Sequence, residues 1–179
     1  ALLSAAERHG AAHQAPMGFQ VMVEPPVLRD KERDGYAIRY AERRRIPMDY
    51  VERKEVSAGW LNVSSPELTA VDLIAYQDHV GGLTRAATVL EELALKLDFS
   101  RLDASFLQAA PAPVFQRLGY LLDHVIEEES LADDLLGLMK SGGLKTKAVP
   151  LRLGASAECA QVDKKWKVMA NQEIEIDEL

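Results

Sequence analysis

The feature that most constrains this 179-residue chain is a change of period at Ser65. Before it, apolar residues alternate, as in Phe19-Gln20-Val21-Met22-Val23 and Tyr36-Ala37-Ile38-Arg39-Tyr40; after it they recur at helical spacing. Alternation marks strands with one buried face, whereas recurrence every three to four residues marks amphipathic helices. The junction Ser65-Pro66-Glu67 supplies a capping hydroxyl, a proline at the first helical position and an acid in the first turn, and Leu68, Val71 and Ile74 then form one apolar stripe. A chain ordered in this way is α+β rather than a regular βαβ alternation. It predicts a small mixed or antiparallel sheet packed with several amphipathic helices.

The first half opens with a helical pattern from Ala1 to about His13, which Gly10 can stop. Strands are predicted over 19–23 and 36–40, the second reached through the Asp34-Gly35 turn signal, with Arg29 to Gly35 charged and turn-like. Tyr50 to Val56 and Trp60 to Val63 read as a small meander with Trp60 on its buried face. After Ser65, Gly81-Gly82 resets the backbone ahead of Leu83, Ala86, Ala87, Leu90, Leu93, Ala94 and Leu97. Further helices are predicted from about Pro113 and from Leu131 to Met139, and Gly142-Gly143 ends the last. Strand character returns in Val149 to Leu153, Trp166 to Ala170 and Ile174 to Ile176.

Charge excludes some functions. The net charge is -7, and the acid is concentrated between residues 66 and 140, where 13 acidic residues face 5 basic ones. A chain whose whole surface is an electrostatic footprint for nucleic acid is thereby excluded. No stretch approaches the ~20 consecutive apolar residues of a membrane-spanning helix. Cys159 is the single cysteine, so no disulfide forms within the chain, and a cytoplasmic setting is the expectation. The first helix has no capping residue ahead of it and no initiator Met, so an upstream segment is expected as well.

Searches for catalytic chemistry find no nucleophile elbow, no Cys–His arrangement and no Gly-rich phosphate loop with its Lys. His9 and His13 stand four apart, a spacing that suits one helix face and a zinc ion, but no third ligand accompanies them. No catalytic residue, metal or cofactor is expected. Asp72 is unusual, because it sits mid-helix between Val71 and Leu73. A buried carboxylate persists only when paired, and Arg85 and Arg117 are the partners that sequence context offers. Arg43-Arg44-Arg45, following Arg39 and Tyr40, is the run suited either to a solvated strand end or to contact with an anionic partner.

Several of these segments carry a resemblance when taken in order: Leu3-Ser4-Ala5-Ala6-Glu7-Arg8-His9-Gly10-Ala11-Ala12-His13-Gln14, Phe19-Gln20-Val21, Ser65-Pro66-Glu67-Leu68-Thr69-Ala70-Val71-Asp72-Leu73 and Gly81-Gly82-Leu83. With Arg117-Leu118-Gly119-Tyr120-Leu121-Leu122 and the closing Trp166-Lys167-Val168-Met169-Ala170-Asn171 and Glu175, the chain resembles the AbiEi family of antitoxins. The resemblance spans nearly all of residues 1–179 and rests on order and spacing. It implies a bacterial type IV toxin–antitoxin system of phage abortive infection, whose toxin is similar to nucleotidyltransferases. It also implies an upstream winged-helix domain that binds operator DNA and represses transcription, this chain being the C-terminal antitoxin domain. A non-catalytic regulatory domain is then the expectation, with Arg43, Arg44, Arg45, Asp72, Tyr76 and Arg85 as its candidate partner surface. An enzymatic antitoxin that modifies its toxin, in the manner of an atypical kinase, and a plain interaction module are the alternatives.

Overall fold

The computed structural model describes residues 1–11, 18–57, 59–156 and 160–176. Helix α1 (Leu2–Arg8) precedes three strands, β1 (Phe19–Val23), β2 (Lys31–Arg33) and β3 (Tyr36–Glu42). The hairpin β2–β3 turns on Asp34 and Gly35 at φ 53° and 80°, the left-handed pair that a two-residue hairpin loop requires. β3 then pairs in parallel with β1, Phe19 opposite Ile38 and Val23 opposite Glu42, so the strand order is β1-β3-β2. Residues 31–33, expected as part of a turn-like stretch, are thus a strand, with its side chains exposed and the partner ladder supplying what its composition lacks.

Two further strands, β4 (Val51–Val56) and β5 (Gly59–Ser64), form an antiparallel ribbon in which Val51 faces Ser64. Trp60 is not on its buried face. Side chains alternate along β5, and because Val63 points inward, Trp60 has the opposite parity and is 59% exposed. The Arg53 guanidinium covers part of its ring, 4.7 Å from the centroid.

The helical half begins where its cap does. Ser65 Oγ accepts from the Leu68 amide at 3.2 Å and starts α2 (Pro66–Ala75). A short α3 (Gln77–Val80) ends on Gly81 at φ 95°, and α4 (Leu83–Ala94), α5 (Ala112–His124) and α6 (Glu129–Ser141) follow. Two-residue strands β6 (Val149–Pro150) and β7 (Val168–Met169) pair in parallel near the end. Residues 174–176 form no strand, because no neighbouring backbone pairs with them among the described residues; Ile174 instead rests half-buried against the core. The first helix stops at Arg8 rather than near His13, which lies outside the described residues. The fold is α+β throughout.

One continuous apolar core joins both halves, from Leu2 and Leu68 through Leu90, Phe106, Phe115 and Leu122 to Trp166 and Val168. Phe106 bridges them, meeting Tyr50 edge-on at 4.9 Å and Phe115 at 6.0 Å. α5 is closed from the far side by Trp166, whose ring fills the space above Gly119. A Cβ there would lie 2.0 Å from Trp166 Cζ3. The indole Nε1 donates to Asp123 at 2.8 Å, and the Trp166 carbonyl accepts from Gln116 Nε2 at 2.7 Å. No helix of the described residues is long and apolar enough to cross a membrane.

Candidate functional site

α1, β1, β5 and α2, with the segment between β3 and β4, line a cavity of about 280 Å³. Its walls are mainly apolar, with Ala5, Val21, Met22, Leu61 and Leu68 among them. Asp72 and Arg43 supply its charge. Asp72 lies on the inward face of α2 at 2% exposure and Arg43, one residue beyond β3, at 6%. An Arg43 guanidinium nitrogen donates to Asp72 Oδ1, and the second donates to the carbonyl of Ala109.

This pairing corrects the expected one. Arg85, offered by sequence context as the partner of Asp72, is exposed on α4, and Arg117 is buried but donates through Nε to the carbonyl of Pro150 at 2.9 Å. Burial lowers the Arg117 pKa from its ordinary value. The arginine run is also not a strand. β3 ends at Glu42, so Arg43 turns inward while Arg44 and Arg45 occupy an exposed bend. Of the six residues proposed for a partner surface, the fold brings Arg43, Asp72 and Tyr76 together. Tyr76, half-buried where α2 ends, has a phenol raised chiefly by burial and by the charges of Asp72 and Glu42, with Arg43 opposing. Arg43 and Asp72 lie inside, so they bear on a partner only through the surface they hold in place.

A buried polar residue without any motif completes the site. Gln20, at the second position of β1, accepts from the Leu3 amide at 2.9 Å and donates from Nε2 to the His79 carbonyl at 2.8 Å, while its own amide donates to Ser4 Oγ at 2.9 Å. It joins α1, β1 and α3 in one network. Its signal in the sequence is a glutamine set inside an apolar strand run, which asks for buried partners. His9, the described half of the expected histidine pair, bonds through Nε2 to the Ser64 carbonyl at 2.7 Å. The described residues contain no cluster of three or more potential metal-ligating side chains of the His, Cys, Asp and Glu types.

Burial pushes the Asp72 carboxyl up to about 6, with Arg43 only partly opposing it. The unfolded carboxyl sits near its ordinary 3.8, so between these values the native state holds more protons than the unfolded one. Stability from this group is therefore greatest below the lower value and falls as pH rises toward the higher. Relative to Asp72→Asn, the urea midpoint of the native chain should fall from about pH 4 to about pH 6 and then run parallel to it. A flat profile over this interval, with a rise confined to lower pH, would mean that Arg43 dominates and holds the carboxyl low.

Comparison with known proteins places this geometry in context. A family model described as the AbiEi antitoxin C-terminal domain matches residues 1–124, which include α1 to α5 and every residue lining the cavity. Neither the curated proteins nor the solved structures contain a significant match.

Proposed function

Because the chain belongs to the AbiEi antitoxin family, and so has an antitoxin role in a toxin–antitoxin system, we propose that it opposes a nucleotidyltransferase-like toxin without chemistry of its own. The observation that carries this reading is the family match, which covers the cavity and the core from α1 to α5. The site's charges support the non-catalytic part. Arg43 is engaged by Asp72 and by the Ala109 carbonyl, so the guanidinium ties β3, α2 and the approach to α5 together. A cation and an acid committed to each other in this way serve architecture better than proton transfer, which needs a group within reach of a substrate.

The partner surface in this reading is made of exposed residues, Arg44 and Arg45 on their bend and the accessible edge of Tyr76, with Arg85 apart from them on α4. Arginine and tyrosine suit such a role because each combines a large contact area with directional hydrogen bonds. Regulation of transcription belongs to the same proposal, through operator DNA bound by a domain preceding this one, in the cytoplasm of a bacterial cell defending itself against phage. Co-expression decides the main point. Cells carrying the chain together with its neighbouring toxin should grow, and cells carrying the toxin alone should not; failure of rescue by a soluble, folded chain would overturn the proposal. Incubation of chain and toxin with labelled ATP should leave the toxin unlabelled, since transfer of label would make the antitoxin an enzyme.

A further inference from the structure

A second cavity, of about 180 Å³, lies between α6, the segment 144–146 and the turn 165–167, beyond the part of the chain that the family model matches. Leu136 and Leu144 line it with the nearly closed-off Trp166, and Lys140, Lys165 and Lys167 line it as well. This convergence stands out in an acidic chain. Residues 140–167 carry seven basic and two acidic residues, against -7 for the whole.

The three lysines are not equivalent. Lys165 already has two carboxylates, Asp123 at 2.9 Å and Asp133 at 2.8 Å, which raise its pKa and fix its position. Lys167, presented by a left-handed backbone at φ 56°, reaches a neutral group, the Thr146 carbonyl, at 3.4 Å. Lys140 has no ion pair among the described residues. Two ammonium groups at one cavity are therefore unanswered by any described carboxylate.

We propose that this cavity binds a small phosphomonoester with an apolar body, its phosphate between Lys140 and Lys167 and its body against Leu136 and Leu144. Charge selects the class. A phosphomonoester carries about -1.5 to -2 at neutral pH and so answers both lysines, whereas a carboxylate or a single phosphodiester answers one. Size selects the rest, because a cavity this small holds a phosphate and a ring-sized body rather than an extended polymer.

The test uses the ¹⁵N-labelled full chain titrated at low salt with phenyl phosphate, read at the indole N–H of Trp166. Saturable shifts are expected, weaker binding by inorganic phosphate, and none by phenol. K140Q/K167Q should lower affinity at least about tenfold, as loss of charge-assisted bonds to a dianion requires. Both side chains are exposed, so thermal midpoints should match the native chain; K167Q alone, with a smaller loss, serves if the double variant does not fold. Equal binding by phenol, or affinity unchanged by the substitutions, overturns the proposal. So does displacement of phenyl phosphate by a short oligonucleotide at equal phosphate concentration, because the lysines would then form part of a nucleic-acid track.

Discussion

Asp72→Ala should lower the unfolding free energy by roughly 3–5 kcal/mol, one of the two largest effects expected of a single substitution in this chain. The cause is the charge left behind rather than the bond lost. Arg43 remains buried, held by the Ala109 carbonyl alone. Arg43→Met should cost less, because without the guanidinium burial drives the Asp72 carboxyl further up and it takes a proton rather than staying charged. Replacing both, as in R43M/D72L, should recover most of the loss, because two apolar side chains of similar volume need no compensation. Urea unfolding of the two single variants and the double one forms a complete cycle. If the double variant is as unstable as the sum of the singles, the pair is not a coupled unit. Rescue of growth by the double variant would further separate the architectural role of the pair from any direct contact with the toxin.

The second large effect is expected at Gly119→Ala. Its Cβ would meet three carbons of the Trp166 ring at 2.0–2.3 Å, with no flexible side-chain end to yield. Either α5 shifts or the indole leaves its place, at a cost of roughly 3 kcal/mol. Trp166→Ala should cost about 3–5 kcal/mol through the emptied volume, with a smaller local loss from the indole hydrogen bond to Asp123, whose carboxylate keeps Lys165 as its partner. The two changes should not add. Once the ring is gone, the methyl group added on α5 has space, so G119A/W166A should be no less stable than W166A alone. Limited proteolysis should expose the residues after α6 in each variant while α1 to α5 stay protected. Cleavage spread evenly along the chain would mean that Trp166 supports the whole fold.

Local signals account for most of what the sequence allowed. The Ser65 cap, the Asp34-Gly35 turn, the Gly81 stop and the helical stripes each depend on residues within one or two turns of each other, and each appears where the sequence places it. The partner of Asp72 is of another kind. Arg43 lies 29 residues away on a different element, and nothing local distinguishes it from Arg85 or Arg117. Only the packing of β3 against α2 makes that choice. Trp60 was legible in principle: parity with Val63 puts it outside, and its size suggested the reverse. Strand β2 was hidden because three exposed charged residues have no burial pattern to betray them. In the site, Gln20 was missed, since a lone glutamine in an apolar run does not say what it bonds, and the cavity it borders depends on four elements meeting and had no sequence signature.

The strand order β1-β3-β2 also imposes a sequence of events in time. β2 and β3 are joined by two residues, so their hairpin closes cheaply, whereas β1 meets β3 only after a longer loop has been ordered. During synthesis β1 emerges first and waits without its neighbour until the chain has grown past Glu42. Arg43 follows immediately, and its acid is made 29 residues later. Until then the nascent chain holds a guanidinium without the acid that accompanies it inside, and the cavity lacks the α2 wall. Burying Arg43 with its partner thus requires the helix bearing Asp72 to be present.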